Sequence, residues 1–426
     1  MSLNLSEKDR QMLDGKYGEA AKFAMTIIVR MAQVLEVDEL MDITQAHIDG
    51  CGLMSDASLE FAETMARLGG KVAVPTTLNM IPLDLQNWQK QDVPRDFAHK
   101  ALRMAKAYID MGCIPTWTCA PYQGTLVPRF GQQIAWGESN AIVYANSVLG
   151  ARTNRYADFL DLCAAITARV PKHGLHLKEN RKGQILFRLV EIPEDLLSDE
   201  SMYAALGHLV GQIAQDRIPV IEGLKGEITS DQHKAFGAAA ASAGAVGLYH
   251  LVGITPEAQT LAAAFQGAEP QEIIEIRLAD LLAARAELST LRESDVKVDA
   301  VVLGCPHFSF TEFQRLAQWI EQSQSKVHPE VHFIVLTNQM TYGLLERSHL
   351  LQTIADFGAE IVLDTCVFHS PIVAAEVEVV MTNSGKCAYY APGELNAQVV
   401  FGSLEECVHS AVKGVVWRQE EGWGRS

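Results

Sequence analysis

The sequence predicts an α/β protein with mainly parallel sheets. Two observations carry this. In the last third, apolar runs at 298–303, 331–336, 360–363 and 377–381 alternate with helical patterns at 311–323 and 344–357. Such alternation implies parallel strands joined by right-handed crossovers. Earlier runs at 185–190, 219–222 and 247–252 are likewise separated by Ala-rich helical segments. With 426 residues the chain exceeds one ordinary core. The expected division is an N-terminal α/β region at 1–290, made of two intertwined subdomains, and a C-terminal α/β/α domain at 291–426.

Taken in order, Ser6 with Asp9 three residues on reads as a helix cap. Ala20, Phe23, Ala24, Ile27, Ile28, Met31, Val34 and Leu35 then make an apolar face at helical spacing. Residues 43–47 read as a strand delivering His47 to a site, a buried hydrogen-bonded histidine being the plain alternative. Helices are expected at 58–69 and 96–111. A buried strand is expected at 71–75, with Thr76, Thr77 and Asn79 at its end, where α/β proteins put ligand contacts.

Residues 113–155 are polar, nearly uncharged and punctuated by Gly and Pro, the composition of a pocket wall. A strand at 114–118 would end in Cys119. The turn at 175–183 is either solvated or an anion contact. Residues 256–291 look helical throughout.

The formal net charge of −17 argues against nucleic acid as a partner, because phosphate binding needs a basic face. No apolar leader opens the sequence and no run reaches membrane-spanning length, so a cytoplasmic protein is expected. In that reducing setting the eight scattered cysteines read as buried thiols or metal ligands.

Parallel strands share one carboxyl edge, which here would carry Cys305, Asn338, Cys366 and Lys386. Cys119, Cys305 and Cys366 all sit at strand ends in polar company. Cys113, Cys163 and Cys407 look like packing residues, and Cys51 and Cys387 are ambiguous. Three such thiols suit an iron–sulfur cluster with one open iron, or zinc with an open position. His307 and His369 follow two of them closely and are candidate donors to a cluster sulfur, or ordinary loop histidines. Lys386, in Asn-Ser-Gly-Lys, is a candidate carboxylate or phosphate contact without Walker spacing.

The segments PTWTCAPY, IAWGESNAIVYANSVLGARTNR, GLHLKENRKG, VVLGCPHFSF, DTCVF and VVMTNSGKCAYYAPG resemble the aconitase X family, a branch of the aconitase superfamily. The resemblance runs from about residue 7 to the chain end. It implies an aconitase-like architecture around a metal-cluster cleft, without the small swivelling domain, which would be a separate small subunit. It implies a hydro-lyase dehydrating a small hydroxy acid at an iron–sulfur cluster, with Cys119, Cys305 and Cys366 as ligands. Trp117 stands where some relatives carry a further cysteine.

The expected substrate is cis-3-hydroxy-L-proline, giving Δ1-pyrroline-2-carboxylate. The family alternative is mevalonate 5-phosphate, and a non-enzymatic metal-binding or regulatory protein is the alternative of another class. Glu138, Ser139 and Lys386 are the expected catalytic residues. His47, Thr76, Thr77, Asn79, Asn154 and Arg155 are the expected substrate contacts.

Overall fold

The computed structural model describes residues 3–91, 93–124, 126–291, 296–419 and 423. The chain packs as two units, Met1–Lys182 and Gly183–Ser426.

In the first unit, α1 (Glu7–Leu13) and α2 (Glu19–Val34) lead to β1 (Leu40–Asp42) and β2 (Ala46–Ile48). There follow α3 (Asp56–Arg67), β3 (Thr76–Leu78), α4 (Arg95–Asp110), β4 (Ala135–Trp136), α5 (Ser139–Ser147), α6 (Leu160–Thr167) and β5 (Arg169–Pro171). Strands β3, β2 and β4 form a parallel sheet in that order, and β1 pairs with β5 antiparallel. Ser6 and Asp9 make a complete capping box on α1. The buried stripe of α2 is largely alanine, Ala20, Ala24 and Ala32 with Met25 and Ile28. Phe23 and Val34, expected on that face, are 44% and 78% exposed.

The strand expected at 71–75 lies instead at Thr76–Leu78. Ala73 and Pro75 are exposed, whereas all three residues of β3 are buried and pair with β2. β-Branched Thr76 and Thr77 suit a buried ladder better than Pro75, which lacks an N–H. The segment expected as a strand at 114–118 makes a single bridge, Ile114 to Thr77. Thr118 N donates to Leu78 O at 3.1 Å, so Cys119 still emerges beside the end of β3. The 175–183 turn folds into two short 3-10 segments, and its Arg181 is buried. Arg181 donates to Asn146 and to Leu175 O, which makes it a brace and not an anion contact.

The second unit begins with β6 (Ile185–Leu189), α7 (Glu200–Ala214), β7 (Pro219–Glu222), α8 (Ser230–Ala243), β8 (His250–Leu251), α9 (Leu261–Ala264), β9 (Glu272–Ile276) and α10 (Leu278–Glu287). Its strands form a parallel sheet in the order β8-β7-β6-β9. Residues 256–291 are therefore not helical throughout. The Glu-Ile-Ile-Glu-Ile of β9 carries β-branched residues that pair with β6, although its Ala/Leu-rich flanks favour helix.

Then come β10 (Ala300–Leu303), α11 (Phe310–Ser323), β11 (His332–Thr337), α12 (Gln339–Glu346), α13 (Leu350–Phe357), β12 (Glu360–Leu363), β13 (Val379–Thr382), α14 (Gly385–Glu394), β14 (Gln398–Phe401) and α15 (Leu404–Lys413). The helix expected at 344–357 is thus two helices. These strands form an all-parallel sheet in the order β12-β11-β10-β13-β14. Its central strands β10 and β13 are buried at every residue, as parallel strands covered on both faces must be.

The division at 182/183 falls inside the region 1–290, which the sequence reads as two subdomains. Ala204 of α7 and Leu288 share one cluster with Ala388 and Ala391 of α14 and with Val399 and Phe401 of β14. Helices of the first sheet thereby pack into the core of the second. Gly207 lets α7 lie close on α8: a Cβ there would stand 2.3 Å from Phe236 O.

Candidate active site

Within the first unit, the β3-β2-β4 sheet and the segments after its strands carry many of the expected residues, with Thr76 and Thr77 inside β3 and not after it. His47 on β2 is fully buried, and its Nδ1 lies 2.8 Å from Thr77 Oγ1 on β3. Burial pushes this histidine down to about 3, so it is neutral. Thr76 Oγ1 donates to Val74 O at 2.8 Å. Asn79 follows β3 and donates from Nδ2 to Asp49 Oδ1. Asp49 is in turn held by the fully buried Asp161, whose Oδ2 accepts from Asp49 N at 2.6 Å.

Glu138 follows β4 and caps α5, with φ at +63°. Its carboxylate accepts from Ala141 N at 2.8 Å and from Asn140 Nδ2. Ser139 is the first residue of α5 and half-buried, with Oγ 3.4 Å from Glu138 Oε1. Asn140 Nδ2 also donates to Cys119 O at 2.9 Å, and its Oδ1 accepts from Tyr122 at 2.6 Å. One buried amide thus ties Cys119 to Glu138. The Gly-Glu-Ser-Asn run gave the only sequence hint of it.

Asn154 reaches the 173–175 turn. Its Nδ2 donates to His173 O at 3.0 Å and its Oδ1 accepts from Leu175 N at 2.8 Å, so it braces that turn. Arg155 beside it is exposed.

In the second unit, strand order reverses between β10 and β13, since the chain runs outward one way through β11 and β12 and the other way through β14. Ligands bind α/β sheets at the carboxyl side of such a switch point. Cys305 follows β10, and Ser384 and Lys386 follow β13, on either side of it. Ser384 Oγ donates to Cys305 O. Lys386 is the second residue of α14, where the helix dipole adds to its own positive charge.

Cys366 follows β12 by three residues, and Asn338 between them caps α12. His307 Nε2 donates to Thr365 O at 2.8 Å, which joins the Cys305 and Cys366 loops. Burial, with Lys234 and Lys386 adding to it, pushes His307 down to about 4. Burial and Lys386 do the same to His369.

Beneath the Cys305 loop lies a charge cluster that the sequence did not reveal. Lys234 of α8 pairs with Glu312 of α11 and lies 3.7 Å from Asp231. Arg315 bonds Asp231 at 3.0 Å and Glu200 at 2.6 Å. Burial opposes the Lys234 ammonium, but Glu312, Asp231 and Glu200 outweigh it and keep the lysine charged.

The eight cysteines are thiols, none joined in a disulfide. Cys119 and Cys366 are half-buried, and Cys305 is 7% exposed. The other five are buried. Burial raises the thiols of Cys51, Cys163 and Cys407, and pushes Cys113 up to about 12, which suits packing residues. Among the described residues no group of three or more His, Cys, Asp or Glu side chains is gathered for a metal ion. The second unit offers two thiols on tied loops, and Cys119 belongs to the other unit. Thiols at strand ends are the donor chemistry an iron–sulfur cluster takes, and the residues present fit it in kind. No helix among the described residues is long and apolar enough to cross a membrane.

Residues 2–179, 183–286 and 298–413 match, in turn, the first, second and third domains of aconitase X. The chain is 44% identical over 417 residues to a cis-3-hydroxy-L-proline dehydratase of Hypocrea jecorina, covering 97% of this chain and 69% of that protein. It is 35% identical over 402 residues to a phosphomevalonate dehydratase large subunit of Methanothermobacter thermautotrophicus, covering 93% and 96%. The crystal structure of Thermococcus kodakaraensis aconitase X, in its holo-form, superposes with a TM-score of 0.86 at 30% identity, covering 96% of this chain and all of that one.

Proposed function

The chain belongs to the aconitase X family, and from that premise we propose that it dehydrates cis-3-hydroxy-L-proline at an iron–sulfur cluster, working with a separate small subunit. The observation that carries the substrate is the 44% identity to a named cis-3-hydroxy-L-proline dehydratase across 97% of the chain. The reaction removes a proton from the carbon bearing the carboxylate and breaks the neighbouring C–O bond. Water leaves, and the enamine so formed tautomerises to Δ1-pyrroline-2-carboxylate.

Cys119, Cys305 and Cys366 would hold the cluster. When bound, it supplies a Lewis-acidic iron for the leaving hydroxyl. Lys386, at the start of α14, would hold the substrate carboxylate, with Arg155 as a second cation. The neutral His47, with Thr76, Thr77 and Asn79, would line the pocket. Ser139, next to Glu138, is the base this chain can offer, unless the small subunit supplies one.

A second reading, mevalonate 5-phosphate as substrate, is favoured by coverage. The chain spans 96% of the phosphomevalonate large subunit but 69% of the hydroxyproline enzyme. The test is to reconstitute the protein anaerobically with iron and sulfide, add the candidate small subunit, and offer both substrates. Turnover of cis-3-hydroxy-L-proline is the expected result, and turnover of mevalonate 5-phosphate alone would reverse the assignment.

Asn140→Ala offers a further check. It strips the bond from Cys119 O and leaves the Tyr122 hydroxyl and Glu138 without that partner. Loss of a group that orients a metal ligand typically costs about 10–100-fold in metal affinity or activity. Iron per chain after reconstitution, by elemental analysis, should fall accordingly. Unchanged iron content and turnover would remove Cys119 from the ligand set.

A further inference from the structure

We propose that Lys234, held in place by Glu312, is the positioning residue that fixes the Cys305 loop. The inference rests on the reading of Cys305 as a cluster ligand. Lys234 sits in the Ala-rich helix α8, and its side chain is 3% exposed. Its Nζ donates to His307 O at 3.3 Å, two residues beyond Cys305. The same loop is held from α14 through Ser384 and from the end of β12 through Thr365. Three separate elements therefore pin residues 305–307.

Glu312 completes the arrangement. Its Oε2 accepts from Lys234 and from Ser309 N at 2.6 Å, so the start of α11 is tied to the same ammonium. Lys234, Glu312 and Cys305 line a common cavity of about 20 Å³. Packing alone does not call for these charges. Apolar residues of similar volume often replace a buried ion pair with no loss of stability. The bond from Lys234 to His307 O instead holds the loop that carries Cys305 in one geometry, as groups behind a metal ligand do.

The variant Lys234→Met/Glu312→Gln removes both charges and leaves neither partner ionised alone. Its melting temperature is expected to stay within about 3 °C of the parent, in line with the near-neutral exchange of buried pairs for apolar residues. Hydrogen exchange of the 304–309 segment, read by mass spectrometry on the metal-free protein, should quicken about tenfold. After anaerobic reconstitution with iron and sulfide, the electron paramagnetic resonance spectrum should shift, and iron retained after gel filtration should fall at least about threefold.

Lys234→Gln/Glu312→Gln keeps a donor at position 234 and leaves neither partner ionised alone. It should bring exchange and the spectrum back toward those of the parent. Parent-like exchange or a parent-like spectrum in Lys234→Met/Glu312→Gln overturns the proposal, and so does equally fast exchange in the variant that keeps a donor. If the parent itself takes up no iron and sulfide, the cluster reading falls and this inference falls with it. If only the variants fail to differ, this inference falls alone.

Discussion

Replacing Cys305 by serine is expected to lower dehydratase turnover at least about a thousandfold, a loss of about 4 kcal/mol in transition-state stabilisation. The reason lies in the donor and not in the shape. Serine has the shape of cysteine and is only slightly smaller, so the 7%-exposed site between β10 and α11 stays nearly filled. A hydroxyl is a hard, weakly acidic donor, whereas iron–sulfur clusters are held by soft thiolates. A cluster held by these thiols would supply Lewis-acid help to the leaving hydroxyl, and it would do so only if retained. Iron and sulfide per chain should fall together with turnover, while the melting temperature stays within a few degrees. Cys407→Ser is the contrast. Its thiol is buried on α15 in the core of the second sheet, so it should affect stability and leave iron content alone. Full iron and full turnover in Cys305→Ser would refute the ligand assignment.

The largest effect on stability is expected from Gly207→Ala. The added methyl would stand 2.3 Å from Phe236 O, and backbone cannot yield there as a flexible side chain would. Helices α7 and α8 also meet at Gly211, where a Cβ would lie 2.6 Å from Ala240 O, and at Gly244, 2.2 Å from Gly211 O. Parting the helices at one point opens gaps along the whole crossing and forfeits dispersion contacts. Overpacking of this kind costs about 3 kcal/mol, the upper part of the usual range. At about 2–4 °C per kcal/mol for a unit of this size, the melting temperature should drop by about 6–12 °C. Gly343→Ala on α12 makes the control. Nothing lies within 4 Å of its Cβ position, and alanine favours a helix interior, so stability should hold or rise. Equal melting temperatures for Gly207→Ala and the parent would show that the crossing has slack.

Four of the five strands of the second sheet were legible as short apolar runs ended by Gly, Thr or Asp, and parallel pairing puts their ends on one edge; β14 (Gln398–Phe401) was not read. Cys305, Asn338, Cys366 and Lys386 follow from that geometry alone. The strand β9 was not legible, because its Ile residues sit among Ala and Leu and only pairing with β6 decides the matter. Lys234 was hidden for a different reason. A lone lysine in an Ala-rich helix looks solvated, and its partners Glu312 and His307 O are 78 and 73 residues away. Asn140 was passed over beside the more reactive Glu138 and Ser139, since an amide bridging Cys119 to Glu138 leaves no periodic mark. The sequence placed two subdomains within 1–290 without locating the division at 182/183, because no local pattern records how α7, α8 and α14 pack.

The alanine seam joining α7 and α8 to α14 also bears on how the gene can be divided. A break at 290/291, the natural choice on strand count, would strand Ala204 and Leu288 on one piece and Ala388, Ala391 and Phe401 on the other. Both pieces would then present a bare apolar face and tend to aggregate. For split or truncated expression, residues 183–426 should therefore be kept together, because their two sheets fold as partners in a single core.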